Sequence, residues 1–349
     1  MVDSPQGFGS RRSRRHLFNF LLRSAVSGIL LYFVFARVNF NLIGQRLSKV
    51  EYTWLVAAVL IFIAQTTLGA LRWQRIVHQC SAADTRRFAI STALRYTFIA
   101  AFFNQILPST VGGDAVRTWL LARDQGAWRV PTYSVLIDRL AGVLVLTFLV
   151  ILCLPCSFAL ISNDAARIAL LILGFGSFGA CFAFLSLGFI GWRWLDRWWL
   201  TRQLVATASM AGVVLGSASS GAPIVAYSLL MHVLSVTAAW CLAKGVAAPL
   251  EWSQALLLVL PVLLVATIPL SIAGWGTRET AMVLAFGYAG LTESDGLIVS
   301  VLLGMAIFAA DLLGGVLWIY DGVKQFHNAR GPHMKLLLSQ RAFNAPDKG

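Results

Sequence analysis

Two short stretches combine residue types that could hold an anion inside an otherwise apolar chain. The first is Leu107-Pro108-Ser109-Thr110-Val111-Gly112-Gly113-Asp114-Ala115-Val116-Arg117, and the second is Ile268-Pro269-Leu270-Ser271-Ile272-Ala273-Gly274-Trp275-Gly276-Thr277-Arg278-Glu279. Each runs from a proline through a serine and glycines to an arginine near a carboxylate. Proline removes a backbone donor and turns the preceding residue away from helix, while glycine admits close or left-handed backbone. Both stretches interrupt sequence in which a spanning helix would otherwise continue. Irregular backbone at membrane depth is tolerated only where protein or a water-filled cavity surrounds it. Paired Pro/Gly interruptions in two halves of a chain point to a transporter's binding site.

The chemistry these residues suggest is phosphate binding. Ser109 or Asp114 in the first stretch, and Thr277 in the second, are expected N-caps of the helices that restart there. A helix amino end offers free N–H groups and partial positive charge to an anion. Arg117 follows Asp114 by three residues on the same helical face and adds a fork suited to phosphate; Arg278 supplies the matching cation. The expected substrate-binding set is Asn104, Ser109, Gly112, Gly113, Asp114, Arg117 and Arg139, with Ser271, Gly274, Gly276, Arg278 and Glu279, around one phosphate-sized pocket near the membrane midplane. Asp114 and Glu279 read as salt-bridge partners of the arginines or as proton-coupling carboxylates. The former is preferred, since a buried acid seeks a partner.

Several further polar residues lie in apolar surroundings. Asn104 and Gln105 precede the first break, as cavity residues or as amides joining helices. Asp138 and Arg139 are adjacent and diverge by about 100° on a helix, so each is expected to pair with another segment, and Arg139 can join the pocket. His232 reads as a hydrogen-bonded packing residue. Asp311 needs a cation from elsewhere, for which Arg95 is the expected partner. Arg72-Trp73-Gln74-Arg75 reads as an interfacial anchor. The five cysteines lie in or beside apolar segments, and the Cys153–Cys156 spacing alone is a weak metal or redox signal. No metal and no cofactor is expected.

The elements that must position these residues are membrane helices. The 349 residues are 58% hydrophobic and 12% charged, with mean hydropathy +0.74, whereas soluble domains carry about 25% charge. The expected fold is all-α, a polytopic helical bundle with about 7–9 spans of roughly 20 residues, two broken or re-entrant segments and a candidate inverted repeat. Lys and Arg number 28 against 15 acids, but they fall between apolar runs rather than in one patch. That distribution fits cytoplasmic loops and anionic headgroups, not nucleic acid.

Residues 1–16 form a basic cytoplasmic amino terminus, residues 17–322 the transmembrane domain, and residues 323–349 a basic, disordered cytoplasmic tail. Leu17–Phe35 is the expected first span and 38–50 an interfacial helix. Trp54–Leu71, Tyr133–Leu154, Ala165–Ile190, Ile224–Leu242 and Leu297–Tyr320 are further spans, and 203–222 suits a second interfacial helix. Basic loops on both sides of 88–122 suggest a re-entrant hairpin.

The N-x-x-L-P-S-x-x-G-G-D-x-x-R run from Asn104 to Arg117, the D-R-L-x-G segment from Asp138 to Gly142, and P-x-S-x-x-G-x-G-x-R-E from Pro269 to Glu279 resemble the lysylphosphatidylglycerol synthase transmembrane region family, also described as flippase-like integral membrane proteins. The resemblance covers roughly residues 20–325. It implies a multi-pass protein of the bacterial inner membrane that moves a lipid across the bilayer. The partner it implies is a membrane lipid, whether phospholipid, hopanoid or polyprenyl-linked; a homo-oligomer is left open. The largest relatives carry a soluble aminoacyl-transferase domain, for which this chain has no room before Gly349, so lipid lysylation is not expected. Relatives often have a basic residue in the last span where this chain has Asp311.

Translocation of an anionic or isoprenoid-type lipid is therefore the leading expectation, and the chain is not expected to be an enzyme. The alternatives are a membrane-embedded polyprenyl-phosphate glycosyltransferase, which would need carboxylates for a metal-bound diphosphate, and a non-catalytic scaffold for lipid-modifying enzymes. For a scaffold, two buried arginines would be an expensive feature.

Overall fold

A computed structural model of the chain describes residues 50–81, 88–107, 111–189, 198–268 and 276–343. The expected first span Leu17–Phe35, the segment 38–49 and the amino-terminal basic cluster lie outside the described residues. Within them the chain forms ten helices and no strand: α1 (Tyr52–Cys80), α2 (Ile90–Ile106), α3 (Gly112–Gln125), α4 (Arg129–Leu160), α5 (Asp164–Ser186), α6 (Trp199–Gly216), α7 (Ala218–Gly245), α8 (Trp252–Ala266), α9 (Thr277–Tyr288) and α10 (Glu293–Phe343). Five of them, α1, α4, α5, α7 and the Glu293–Asp321 part of α10, are long and apolar enough to cross a membrane. Membrane spanning favours helices because each backbone donor and acceptor is satisfied within the segment. The 29 residues of α1 rise about 43 Å, more than the roughly 30 Å of a bilayer's hydrocarbon core. The chain is a multi-pass helical membrane bundle.

Helix directions fix where the two breaks lie. α1 and α7 run antiparallel: Glu51 N–H donates to the Gly245 carbonyl (3.0 Å) at one end, and Ser235 Oγ donates to Gln65 Oε1 (3.2 Å) further in. α2 starts at the opposite end, where Gln74 Nε2 of α1 donates to the Phe88 carbonyl (2.9 Å). It runs inward and α3 returns beside it. Tyr96 donates to Asp124 near the mouth of this hairpin, and Gly113 N–H donates to Asn104 Oδ1 (2.9 Å) at its tip. The α8–α9 hairpin opens at the other end of the bundle. It follows the carboxyl end of α7, and Gly287 of α9 lies against Glu293 at the start of α10.

α10 packs against both hairpins. It is antiparallel to α2, with Arg95 Nη1 on Asp321 Oδ1 (3.3 Å) at the mouth and Gln105 Nε2 donating to Asp311 Oδ2 (3.0 Å) at the tip. The tip of the second hairpin meets α10 at Ser300, which bonds Arg278 and Glu279. Ser300 and Asp311 are eleven residues apart, about 16 Å along the helix. The two broken hairpins thus enter from opposite ends, and their tips stop at different depths.

The apolar core runs between α1, α4, α7, α8 and α10, where small residues such as Ala58, Ala239 and Ala243 let backbones approach around Leu242, Leu258 and Val299. Three expectations change. Arg95 pairs with Asp321 rather than Asp311, because the antiparallel register sets Arg95 at the mouth and Asp311 at the tip. Residues 203–222 divide at Ser217 between α6 and α7, and α6 sits against α1, α4, α5 and α7 with Ala208 and Ala211 buried. The tail expected to be disordered continues α10 as helix through Phe343.

Candidate functional site

At the first break, five charged side chains from three helices form one network. Arg72 of α1, Asp114 and Arg117 of α3 and Asp138 of α4 are all buried, and Arg139 of α4 is half exposed, with 52% of its side chain accessible. Arg72 Nε donates to Asp138 Oδ1 (2.8 Å), and its Nη1 donates to Ser228 Oγ of α7 (2.8 Å). Arg117 Nη1 and Nη2 both donate to Asp138 Oδ2 (3.2 Å each), and Nη2 also donates to Asp114 Oδ1 (3.0 Å). Arg139 Nε donates to Asp114 Oδ2 (2.5 Å). The Arg117 guanidinium lies 4.7 Å from the ring of Trp73, which is itself fully buried and donates to Ser134 Oγ (3.1 Å). Such stacking suits a planar, weakly hydrated cation.

Among the described residues three guanidiniums share two carboxylates here. Arg117 Nε is buried with no hydrogen-bond partner among the described residues. The half-exposed Arg139 is where an anion can reach the network from outside.

At the second break the described residues bond to one another and to α10. Gly276 has φ 94°, a left-handed backbone that glycine adopts at no steric cost, and its N–H donates to Glu279 Oε2 (2.6 Å). Glu279 Oε1 accepts from Arg278 Nη2 (2.7 Å) and from Ser300 Oγ (3.2 Å), and Arg278 Nε also bonds Ser300 Oγ (3.2 Å). Glu279 therefore caps the amino end of α9 and neutralises the arginine beside it. The opposite face of α9 lines an apolar groove of about 640 Å³ shared with α5 and α8. Thr277, Thr280, Leu284 and Tyr288 face it at helical spacing, opposite Leu173 and Pro261. The groove runs the length of α9, about 16 Å.

A family model for the lysylphosphatidylglycerol synthase TM region matches residues 20–315. The chain belongs to this family. No curated protein matches the chain. The match covers both breaks and every described residue of the two networks, so the buried arginines belong to the family domain itself and not to an appendage. Membership makes this a membrane protein of a lipid-related family.

Of the residues expected to bind substrate, Asp114, Arg117 and Arg139 come together in the first network, and Gly276, Arg278 and Glu279 in the second. Asn104 and Gly113 join the two arms of the first hairpin. A Cβ on Gly113 would lie 1.8 Å from the Ala100 carbonyl oxygen, so only glycine allows this approach. Gly112 is the first residue of α3. Ser109, Ser271 and Gly274 lie outside the described residues. The N-cap of α3 is Val111, not Asp114, which sits in the first turn. Thr277 is the first residue of α9, and Gly276 is its N-cap. The described partners of Arg117 and Arg278 have no residue in common, and the two arginines belong to hairpins whose tips contact α10 at different depths. Among the described residues no three His, Cys, Asp or Glu are grouped to hold a metal ion.

The reading of Arg72-Trp73 as an interfacial anchor is corrected. Both are buried, because α1 continues inside the bundle to Cys80 with Ile76 and Val77 buried as well. The sequence did hold a signal for this, the apolar Ile76-Val77 step after the arginines. Ser228 and Ser300, two hydroxyl partners of the arginines, carried none. His232 Nε2 lies 3.0 Å from the Gly142 carbonyl, a packing contact.

Proposed function

We propose that the protein moves an anionic or isoprenoid-type lipid across the bacterial inner membrane, its headgroup phosphate engaged by the two broken motifs in turn. The observation that carries this reading is the cluster of arginines at the first break, where Arg117 is buried with no described hydrogen-bond partner for its Nε and Arg139 forms the exposed edge. A phosphate meeting Arg139 competes with Asp114 for the guanidiniums and offers an acceptor to the buried Arg117 Nε–H. The opposed hairpins support the same reading, since each reaches inward from one end with a buried arginine near its tip. A headgroup leaving one tip has about 16 Å to travel along α10 to reach the other. The groove along α9 suits the acyl or prenyl chain of the same lipid, being apolar and within the range of about 300–1,000 Å³ common to ligand pockets.

The cytoplasmic side is the end where the first hairpin opens. Arg123, Arg129 and Arg202 flank that end. The other end has Arg167 and Lys244 among the acids Asp164, Glu251, Glu293 and Asp295. Positive residues mark the cytoplasmic face. The partner is a phosphate-bearing membrane lipid, of which phospholipids and polyprenyl-linked lipids are the first to try.

The test is transbilayer movement of a headgroup-labelled anionic phospholipid in proteoliposomes. Wild type is compared with Arg139→Gln, which removes the exposed charge, and with Arg117→Lys and Arg278→Lys, which keep charge but lose the planar fork. Movement in wild type with loss in the variants is expected. Equal movement in all four would overturn the reading.

A further inference from the structure

The interface between α2 and α10 holds two carboxylates in one antiparallel register and partners them differently. At the mouth, Asp321 takes the guanidinium of Arg95. Ten residues inward on each helix, Asp311 has the amide of Gln105 (3.0 Å) as its one hydrogen-bond partner among the described residues. Asp311 is 6% exposed and lies about 15 Å along α10 from Asp321. The other buried acids of the two networks, Asp114, Asp138 and Glu279, each hold an arginine.

The charged groups on every described helix packed against α10 have described partners elsewhere. On α2, Arg95 is on Asp321 and Tyr96 on Asp124. On α1, Arg72 is on Asp138, Arg75 lies over Tyr227, and His78 is at the Phe88 carbonyl. On α7, His232 is at Gly142 and Lys244 lies over Trp240. On α9, Arg278 and Glu279 meet at Ser300, about 16 Å away along α10. On α10 itself, Glu293 and Asp295 are further out still. No cation is a described partner of Asp311, so among the described residues its ionised form is held by one neutral donor, the Gln105 amide. That is costly, whereas the protonated acid keeps the bond to Gln105 at no such cost.

Gln105 is also where the hairpin turns. Its neighbour Asn104 accepts the Gly113 N–H that joins α2 to α3, and α3 carries Asp114 and Arg117 one turn further on. We propose that Asp311 is a proton-binding site, and that gain or loss of its proton shifts the tip of the α2–α3 hairpin against α10. The proton comes from water as an O–H bond forms on the carboxylate and returns to water when it breaks; no other reactant is needed. The site stands on the surroundings of Asp311, and only its use as a driving force rests on the translocation reading. Intramembrane acids commonly serve as such proton relays.

The test uses the full chain in lipid nanodiscs, with the five native cysteines replaced and an environment-sensitive fluorophore on Ile106→Cys, a position 54% exposed at the hairpin tip. Fluorescence is followed from about pH 4 to about pH 9, the range in which buried carboxyls titrate. Wild type is expected to give a one-proton transition, with an infrared carboxylic-acid band appearing on its acid side. Asp311→Asn, which keeps the size and the hydrogen bond, is expected to lose both, and Asp311→Glu to keep the transition with a displaced midpoint. A flat wild-type curve, or a transition left unchanged by Asp311→Asn, overturns the proposal. Should the Asn variant fail to fold, an unmoved midpoint in Asp311→Glu overturns it instead. A titrating Asp311 in a protein that moves no lipid leaves the proton site standing and counts against the translocation reading alone.

Discussion

At the first break five charged side chains are drawn from α1, α3 and α4, and each aspartate is shared between two arginines. At the second, an arginine and a glutamate adjacent in sequence meet each other, a serine on α10 and the amino end of their own helix. The residue types of the two motifs are nearly the same, yet among the described residues one network sets three arginines against two aspartates and the other sets one arginine against one glutamate. The difference comes from spacing. Asp114 and Arg117, three apart on α3, point along one face and leave hydrogen-bonding capacity for neighbouring helices. Glu279 sits three residues after the N-cap, where its carboxylate turns back onto Gly276 N–H and holds Arg278 at the same time. The first arrangement suits capture of an anion. The second fixes a helix start beside an apolar groove.

If that contrast is right, the largest effect comes from removing the acid shared across helices. Asp138→Ala leaves Arg72 and Arg117 buried with one fewer carboxylate, and is expected to cost about 3–5 kcal/mol of stability. Thermal unfolding in detergent, followed by tryptophan fluorescence, checks it. Glu279→Gln keeps an acceptor for Gly276 N–H and is expected to cost less, about 1–3 kcal/mol. Equal losses in these two variants would break the comparison.

The glycines sharpen it. Gly113→Ala drives a methyl into the Ala100 carbonyl and is expected to cost about 1–3 kcal/mol by overpacking, with the arms of the hairpin parted. Gly276→Ala places a side chain in left-handed backbone, at about 1–2 kcal/mol. Faster hydrogen exchange is expected at the first hairpin in the former and at the start of α9 in the latter. Crossed results would mean that the two hairpins are coupled more tightly than their separate networks suggest.

The smallest effect on stability, within about 0.5 kcal/mol, is expected for Arg139→Gln, since that side chain is half exposed. Its effect on lipid movement is expected to be tenfold or more, the weight of about 1.4 kcal/mol from a lost charge-assisted contact. Scrambling rates in proteoliposomes measure it. A variant less stable but equally active would reverse the roles assigned to this arginine and its buried neighbours.

Much of this was legible in the chain. Apolar runs of sufficient length marked α1, α4, α5, α7 and α10 as spans, since lipid requires internally satisfied backbone and helices supply it. The Pro and Gly clusters marked both breaks, because those residues alter backbone freedom wherever they stand. Asp138 and Arg139 were bound to face different partners, as neighbours on any helix do. Which partners they found depended on helix direction and register, and single-chain periodicity does not encode these. Arg72 entered the first network because α1 stays inside the bundle for two turns beyond it, so a residue resembling a membrane-edge anchor became a buried counter-charge. Arg95 was matched to Asp321 and not Asp311 by the antiparallel alignment of α2 with α10. The sequence by itself determined a helical membrane protein of a lipid-related family with two charged interruptions. Only the tertiary structure decided that the interruptions open at opposite ends and close their charges differently, because the sharing of a carboxylate is settled by whichever helices pack beside it.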